Sequence, residues 1–413
     1  MELPTSTRIF SRILCGAALT GLAAAGSANV ITDWDERAVT VAAPGAMGER
    51  EMAMVHLAMF DAVNSISSRY RPYLTRIATA GAISEEAAAA SAAAGVLAEL
   101  HADKAGEIRA ALADQLARIP DGASKADGVQ LGEQAAARLL AGRAADGASD
   151  PDTYRPRSTP GIYVPTTAMV GSAWPKMTPF ALTSASQFRP SAPIPLSSAE
   201  WADDFNEVKS LGARNSTERP AQATETARFW LMVGPRAYHP IARQLVERKH
   251  LDVVDSARWM ALYSVALTDA YIAVFDAKYH YEFWRPITAI RNGDLGGNPA
   301  TVRDPAWQPI DNTPAHPEYP CAHCIESGAA VTVLEALLGS ENIPEISMTS
   351  PTAPGVTHHW SSLRAMSEEV ANARIWAGFH YRFSTRVGTA MGRNVGQYVV
   401  QNALQPESVA NSK

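Results

Sequence analysis

The chain has 413 residues, which is enough for one large domain or two ordinary ones with a sizeable core. Hydrophobic residues make up 46% and charged residues 19%, a balance that is typical of a globular enzyme and too apolar for a disordered chain. The formal net charge of −6 argues against nucleic acid as a partner, because binding a phosphate backbone requires a basic face.

The first residues have the pattern of a secretory signal peptide. Arg8 and Arg12 form a positive start, the apolar run Ile13–Gly26 follows, and small residues up to Ala28 offer a cleavage site. The run is shorter than the ~20 apolar residues that span a bilayer, so we expect no stable membrane span after cleavage. We therefore expect residues 1–28 to be removed and the protein to be periplasmic or secreted. An ordinary N-terminal helix or an uncleaved anchor is the alternative.

Helix-forming patterns dominate the rest of the chain. Met52, Val55 and Met59 recur at three-to-four spacing, and Ser84 is predicted to cap the Ala-rich helix that follows it. No convincing alternating strands are present, so the predicted fold class is all-α, a multi-helix bundle. Further helices are predicted from Asp255 to about Arg291, from Ile325 to Leu338, and from Ser362 to about Asn402.

Residues 145–195 interrupt these patterns with many Pro, Gly, Ser and Thr residues. We interpret them as a long surface connection between two helical halves. The predicted organisation is an N-terminal half, residues 29–195, that includes this connection, and a C-terminal half, residues 196–413.

The first chemically suggestive segment is "KYHYEFWRP", from Lys278 to Pro286. Lys278 and Arg285 are seven residues apart, which places both on one face of a continuous helix that Pro286 would kink or end. Two cations on one helix face usually lie on a surface that is exposed to solvent. The aromatic residues between them instead indicate a partly buried pair, and buried cations require an anion.

The second segment is "HPEYPCAHCIES", residues 316–327. Its prolines favour an extended or turn-like start, and "CAHC" then lies at or near the N-terminus of a helix, where free N–H groups can bind an oxyanion. Cys321 and Cys324 also allow a redox couple or a disulfide. A zinc site is the remaining alternative, with further ligands from His316, His358 and His359.

The third segment is "RIWAGFHYRFS", which contains Arg374 and His380. Alone, a histidine in an apolar helix is more often a core residue than a ligand. The stretch Thr357–Ser362 before it is expected to be a loop, either at the mouth of a site or simply capping the last helix.

In this order the three segments, K-x6-R-P, P-x-x-H and R-x5-H, resemble the signature of the vanadium-dependent haloperoxidase and type 2 phosphatidic acid phosphatase superfamily. The segment "FWRP" looks most like the corresponding segment of the chloroperoxidase-like branch, which includes fungal and bacterial members. The resemblance is concentrated in residues 278–396. It implies an all-α bundle of that type, with the oxyanion site in the C-terminal half.

The resemblance also implies a role for each matching residue. Lys278, Arg285 and Arg374 correspond to the cations that bind the oxygens of vanadate or phosphate, a role that suits guanidinium forks. His380 corresponds to the histidine that ligates vanadium in haloperoxidases and attacks phosphorus in phosphatases. His323 corresponds to a second, acid–base histidine.

The middle segment departs from the family pattern. Cys321 and Ala322 stand where the family usually has Ser-Gly. The N–H of Ala322 can still bind the oxyanion, whereas Cys321 offers at most a weak S–H donor, and a disulfide would remove it. This departure puts efficient peroxidase turnover in doubt more than anion binding.

The expected function is that of a vanadate-dependent haloperoxidase that uses hydrogen peroxide and a halide. In this mechanism Lys278 would polarise the bound peroxide. The first alternative is an acid phosphatase that acts on a phosphate monoester with a histidine nucleophile. The second is a catalytically impaired oxyanion-binding relative. The sequence leaves the halide, the organic substrate and a homo-oligomeric state open.

Overall fold

The structure is a computed structural model that describes residues 1, 29–74 and 76–407. The predicted signal peptide therefore lies outside the described residues apart from Met1. The expected all-α bundle is confirmed, with a single β-hairpin in the described part of the chain. The helices are α1 (Val30–Val41), α2 (Ala46–Ser67), α3 (Glu85–Leu100), α4 (Ala105–Leu116), α5 (Ala123–Arg143), α6 (Ala199–Leu211), α7 (Ala221–Phe229), α8 (Pro235–Lys249), α9 (Val253–Tyr281), α10 (Pro286–Arg291), α11 (Ala322–Leu338), α12 (Leu363–Trp376) and α13 (Arg382–Asn402).

The hairpin consists of β1 (Asn342–Ser350) and β2 (Ala353–Ser362), which pair antiparallel. The expectation of a loop at Thr357–Ser362 was wrong, because these residues end β2. Burial does not alternate cleanly along either strand, so the sequence lacks the period-two signal of a half-buried strand. Trp360 joins the hairpin to the bundle by packing on Trp230 at 5.8 Å between ring centroids.

The bundle is built around α9, whose side chains are buried along nearly its whole length. Among the described helices α9 is the one long and apolar enough to cross a bilayer, and its most apolar window is fully buried in this structure. It packs against α2, α11 and α13, so one hydrophobic core contains residues of both predicted halves. The predicted capping of α3 by Ser84 is confirmed, since its side chain accepts from the N–H of Ala87. The division at residue 195 stays a prediction.

The helix predicted from Asp255 to Arg291 is broken between Lys278 and Arg285. The first part ends at Tyr281, and Glu282 turns the chain with a left-handed φ of 50°. Arg285 lies in extended backbone as the N-cap of α10, with Pro286 at its first position, where the missing N–H costs nothing. The expectation that both cations share one helix face was therefore wrong.

The last predicted helix is also two helices. Arg374 lies in the last turn of α12, and His380 lies in the short segment before α13. Gly378 makes the break, because its φ of +78° favours glycine and a Cβ there would lie 2.5 Å from the carbonyl oxygen of Gly212. His380 is thus held in a tight turn rather than in a helix.

Close packing of α13 on α11 fixes the start of α11. Three glycines four residues apart, Gly388, Gly392 and Gly396, face α11 along one side of α13. A Cβ on Gly392 would lie 2.0 Å from the carbonyl oxygen of Ile325, and one on Gly388 would lie 2.6 Å from that of Cys321. The absence of side chains therefore lets the helices approach at the end that carries His323.

A buried charge cluster joins α1, α2 and α8. The ligand-capable atoms of Asp35, His56 and His239 all lie within 4.8 Å of one another. Hydrogen bonds account for the arrangement: Asp35 Oδ1 accepts from His56 at 2.8 Å and from His239 at 2.6 Å, while Oδ2 accepts from Arg243. The second ring nitrogen of His239 lies 3.3 Å from Glu49. We interpret the cluster as a structural ion-pair network.

Candidate oxyanion site

The residues singled out from the three sequence segments converge around one cavity of about 600 Å³. His323, Arg374 and His380 line it directly, together with Ala322. The side chains of Lys278 and Arg285 reach the same region by hydrogen bonds to residues 316–318 and to His380. The structure therefore brings together segments that are up to about a hundred residues apart in the chain.

Lys278 is fully buried in the last turns of α9. Its Nζ donates to the carbonyl oxygens of Pro317 and Glu318 at 2.9 and 2.7 Å. Burial lowers the pKa of Lys278 well below its ordinary value, and the neighbouring Arg285 lowers it further. A bound anion would reverse this shift, so the site is built for negative charge.

Arg285 holds two imidazoles on one guanidinium. Nη1 donates to Nε2 of His380 at 3.1 Å, and Nη2 donates to Nδ1 of His316 at 3.0 Å. Its Nε donates to the backbone oxygen of His316 at 2.9 Å. Burial lowers the pKa of Arg285 to about 10, so the side chain remains a cation near neutral pH.

Arg374 approaches the cavity from the end of α12. Its Nη1 donates to the carbonyl oxygen of Trp230 at 2.6 Å, and its guanidinium lies over the ring of Phe379. Its Nε is buried and has no hydrogen-bond partner within the described ranges. An unpartnered charged donor is costly unless an anion accepts from it. Burial, and then Arg285, lower the pKa of Arg374 to about 9.

His380 has a defined tautomer. Its Nδ1 lies 2.7 Å from Oε1 of Glu318, and both side chains are buried. Because the carboxylate accepts and Arg285 donates, the proton is on Nδ1 and the lone pair is on Nε2. Burial and the nearby cations lower the pKa of His380, which keeps the ring neutral. A neutral Nε2 lone pair can ligate a metal or attack phosphorus once the Nη1–H of Arg285 turns from this nitrogen to the oxygen of an incoming oxyanion.

His323 also has a defined tautomer, with the proton and the lone pair on the opposite nitrogens to those of His380. Its Nε2 lies 3.1 Å from the carbonyl oxygen of Met232, which can only accept, so the proton is on Nε2. Nδ1 then carries the lone pair, and it has no partner in the described part of the chain. Burial and Arg374 lower the pKa of His323 well below its ordinary value. The ring is therefore a neutral base at the cavity wall.

Cys321 and Cys324 form a disulfide, which corrects the expected role of Cys321. The bonded sulfur has no hydrogen to donate to an oxyanion; instead it accepts from the N–H of Cys324 at 3.2 Å as the N-cap of α11. The zinc and redox-thiol alternatives lose their free thiolates in this state. Ala322 does line the cavity, and as the first residue of α11 its N–H has no partner within the helix.

Two residues at this site were not identified from the sequence. Glu318 orients His380, and His316 lines the cavity beside Arg285; the sequence suggested His316 only as a zinc ligand. Burial raises the pKa of Glu318 to about 7, although Lys278 and Arg285 oppose the shift. Both residues belong to the extended stretch before α11, where no periodicity indicates which side chains point inward.

The donor set fits a tetrahedral oxyanion such as vanadate. Three buried cations and one helix-start N–H converge, while the carboxylate nearest to them, Glu318, is committed to His380. Guanidinium and ammonium donors neutralise oxyanion charge, and Arg374 lines the cavity with a guanidinium whose Nε has no partner among the described residues. The residues present therefore suit the group that the sequence resemblance implies.

Comparison with known proteins shows which family this chain resembles. The VCPO second helical-bundle domain matches residues 258–407. A vanadium chloroperoxidase from Curvularia inaequalis is 28% identical over 249 residues, which span 45% of this chain and 40% of that relative. The resemblance to the vanadium haloperoxidases is confirmed.

Solved structures of haloperoxidases extend the likeness to most of the chain. The first bacterial vanadium-dependent iodoperoxidase superposes with a TM-score of 0.77 at 25% identity, over 92% of this chain and 96% of that one. The apo-type bacterial vanadium-dependent chloroperoxidase has a TM-score of 0.73 over 88% and 94% of the two chains. Its identity of 16% supports a shared fold alone. The N-terminal half therefore belongs to the same bundle architecture.

Proposed function

We propose that this protein is a vanadate-dependent haloperoxidase that oxidises a halide with hydrogen peroxide to hypohalous acid. The observation that carries the proposal is the neutral, Glu318-oriented Nε2 of His380 within a set of buried cations. The chain's similarity to a vanadium chloroperoxidase and to an iodoperoxidase supports it. The chain matches less than half of the length of this chloroperoxidase.

Each residue has a defined task in this reaction. The Nε2 of His380 would hold vanadium, and Lys278, Arg285 and Arg374 would bind the oxygens around it. When held there, vanadate would supply Lewis-acid chemistry for the reaction of hydrogen peroxide with the halide. The Nδ1 lone pair of His323 accepts a proton from hydrogen peroxide as it enters.

The remaining groups prepare these donors before the substrates arrive. Glu318 keeps the proton of His380 on Nδ1, so that Nε2 carries a lone pair, which now accepts from Arg285 and which vanadium would take when the guanidinium turns to the vanadate oxygens. The carbonyl oxygens of Pro317 and Glu318 position Lys278, whose ammonium would polarise the bound peroxide. Because these groups are fixed by packing, little reorganisation is needed when negative charge develops.

A halogenation assay tests the proposal. Protein incubated with vanadate is given hydrogen peroxide, a halogenation dye and chloride, bromide or iodide in separate reactions. We expect turnover that depends on vanadate and on at least one halide, and that is lost in His380→Ala. Absence of turnover with every halide would contradict the proposal.

An acid phosphatase is the second candidate, because the tautomer of His380 also suits a nucleophile. Its Nε2 lone pair would attack phosphorus, and His323, after its Nδ1 is protonated when a phosphate monoester anion binds, would give that proton to the leaving alcohol. Phosphatase activity that vanadate inhibits, and that His380→Ala abolishes, would favour this candidate. Vanadate binding without turnover in either assay would instead indicate a catalytically impaired protein that only binds oxyanions.

We also propose that the protein is exported to the periplasm or secreted. The signal-like residues 1–28 motivate the proposal, and the Cys321–Cys324 disulfide supports it because such bonds persist in oxidising compartments. Mass spectrometry of the protein from the periplasmic or culture fraction should find a chain that begins at Asn29. Full-length chain in the cytoplasmic fraction alone would contradict export.

A further inference from the structure

Two buried glutamates, Glu49 and Glu326, lie behind the wall of the cavity. Glu326 is on α11, one turn after Ala322 and His323 and on the same side of the helix, and it is fully buried. Its Oε2 is 2.8 Å from the hydroxyl oxygen of Tyr271, a residue of α9 that lines the cavity. Tyr271 therefore stands between the cavity and a carboxyl that solvent does not reach.

The second carboxyl, that of Glu49, comes from the first turn of α2 and is equally buried. Thr268, three residues before Tyr271 on α9, donates to the backbone oxygen of Glu49 at 2.8 Å and holds the start of α2 against α9. The carboxyls of Glu49 and Glu326 are within hydrogen-bonding reach of each other. The Oε1 atom of each has no donor from any other group in the described part of the chain. A proton shared between the two carboxyls supplies the missing hydrogen bond, because two adjacent buried carboxyls resist ionising together.

The contacts of the pair place its proton on Glu326. Oε2 of Glu49 is 3.3 Å from Nε2 of His239. Although burial lowers the pKa of His239, Asp35 raises it to about 9, so the ring is a cation near neutral pH. Glu49 thus faces a cation, whereas Glu326 faces the neutral hydroxyl of Tyr271. Burial, and then Glu49, raise the pKa of Glu326 well above its ordinary value, in agreement with this assignment.

The titratable groups around Glu326 come from three other helices. Glu49 is on α2, Tyr238 is on α8, and Tyr263 and Tyr271 are on α9. Burial raises the pKa of each tyrosine well above its ordinary value, so all three stay neutral. Helices α12 and α13 also pack on α11, and several of their charged side chains have other partners: Arg374 with Trp230, Arg382 with Glu207, and Arg386 with Glu200.

The proposed reaction requires a proton that the cavity itself does not hold. A halide ion, hydrogen peroxide and one proton give hypohalous acid and water. His323 can take a proton from the peroxide and return it, so a further proton must reach the oxygen that leaves as water. Burial and the nearby cations lower the pKa of His323 and of His380, and the same positive potential disfavours hydronium. A neutral acid beside the cavity meets this need.

We propose that Glu326 supplies this proton through the hydroxyl of Tyr271; the inference rests on the proposed haloperoxidase function. With its proton on Oε2, Glu326 donates to Tyr271, whose own hydrogen is then free for an acceptor in the cavity. As the O–O bond breaks and one oxygen joins the halide, the hydrogen of Tyr271 passes to the other oxygen, which leaves as water. The proton of Glu326 passes to Tyr271 in the same step. The phenol is restored, Glu326 becomes a carboxylate, and water in the cavity returns a proton along the same path between turnovers.

Steady-state kinetics of Glu326→Gln and Tyr271→Phe test the relay. Each variant removes one transferable proton and nearly preserves the shape of the side chain. We expect kcat to fall about 100-fold at alkaline pH, as for loss of a general acid, and to fall less near about pH 5, where hydronium is more abundant. The KM for halide and the affinity for vanadate should change little. The double variant should be no slower than either single variant, because the two groups form one path.

Tyr263→Phe is the matched control. It removes the hydroxyl of another buried tyrosine of α9, which donates to the backbone oxygen of Tyr238, and its kcat should equal that of the wild type. Losses of kcat that multiply in the double variant, or that are the same at every pH, would indicate a structural effect and overturn the relay. Wild-type kcat in Glu326→Gln or in Tyr271→Phe would overturn it while leaving the haloperoxidase function intact.

Infrared spectroscopy provides a readout that needs no turnover. The difference spectrum between the wild type and Glu326→Gln near neutral pH should contain the C=O stretch of a protonated carboxyl that is shielded from water. If the band is absent although the wild type halogenates, Glu326 stores no proton and the inference is wrong. If the band is present but the wild type halogenates nothing, the haloperoxidase function fails, and the delivery step fails with it.

Discussion

The Nδ1 of His380 and the Oε1 of Glu318 are 2.7 Å apart in a buried pair that crosses from the segment before α13 to the segment before α11. The carboxylate fixes the ring tautomer and leaves the Nε2 lone pair on the cavity side. A histidine that holds a metal commonly donates its other nitrogen in this way.

Replacing Glu318 should therefore weaken the binding of vanadate. In Glu318→Gln the amide is a poorer acceptor and can turn an N–H towards His380, which favours the wrong tautomer. We expect the affinity for vanadate to fall roughly 10–100-fold, as is common when such partners are lost. Titration with vanadate measures it, and Glu345→Gln, at an exposed position, is the matched control. Equal affinities in the two variants would show that Glu318 does not position the ring.

The planar guanidinium of Arg374 should strengthen vanadate binding through its geometry as well as its charge. Its Nε is the buried donor that has no partner in the part of the chain that is described. Arg374→Lys keeps a cation but loses the planar fork, so we expect about tenfold weaker vanadate binding, with a larger loss in Arg374→Ala. Isothermal titration provides the comparison. Arg364→Lys, at an exposed position on the same helix, should bind like the wild type. Full affinity in Arg374→Lys would refute a specific role for the fork.

The disulfide should stabilise the start of α11, but it removes a hydrogen-bond donor to the oxyanion at position 321. Cys321→Ser/Cys324→Ala puts a hydroxyl at the N-cap, where serine is strongly preferred. Loss of the short loop closure should lower the free energy of unfolding by about 1–2 kcal/mol, after part of the loss is offset by the new cap. We expect vanadate affinity to rise about fivefold, the contribution of one neutral hydrogen bond.

The matched control for this variant is Cys321→Ala/Cys324→Ala, which loses the bond without gaining a hydroxyl. Denaturant unfolding and vanadate titration of both variants separate the two effects. If both double variants bind vanadate equally, the side chain at position 321 does not reach the oxyanion.

The stability of the protein should fall as pH rises through the pKa of Glu326. This carboxyl is fully buried on α11; burial raises its pKa well above the ordinary value, and the nearby Glu49 raises it further. A raised pKa means that the folded state retains a proton that the unfolded chain releases above about pH 4.3. The stabilisation is complete below that value and is lost as pH increases towards the folded-state pKa.

Glu326→Gln removes this contribution, so its free energy of unfolding should decline less between pH 5 and 9. Urea denaturation at several pH values measures it, and Glu341→Gln, an exposed site, is the control. A smaller decline with pH remains, because Asp35 raises the pKa of buried His239 to about 9 against the effect of burial. Parallel curves for the wild type and Glu326→Gln would contradict the assignment.

The sequence predicted which residues line the site better than it predicted their local geometry. Prolines marked the start of α11 correctly, because proline restricts the residue before it whatever the tertiary contacts are. The breaks before Arg285 and His380 were not predicted. Apolar patterning continues across both, and the turns depend on Glu282 adopting a left-handed conformation and on Gly378 packing against Gly212.

Glu318 and His316 were not recognised for a different reason. Both lie in an extended stretch, where their partners, His380 and Arg285, come from elsewhere in the chain. The disulfide was one of several alternatives that the CxxC spacing permits, and spacing alone does not decide among them. Tertiary structure was needed to show which nitrogen of each histidine faces the cavity.

The central claim is that buried cations and the Nε2 of His380 hold vanadate. The direct measurement is the vanadium content of wild type and His380→Ala after incubation with vanadate and removal of free ion. The wild type should retain stoichiometric vanadium that excess phosphate displaces, and the variant should retain little. If the wild type retains no more vanadium than His380→Ala, the claim is wrong.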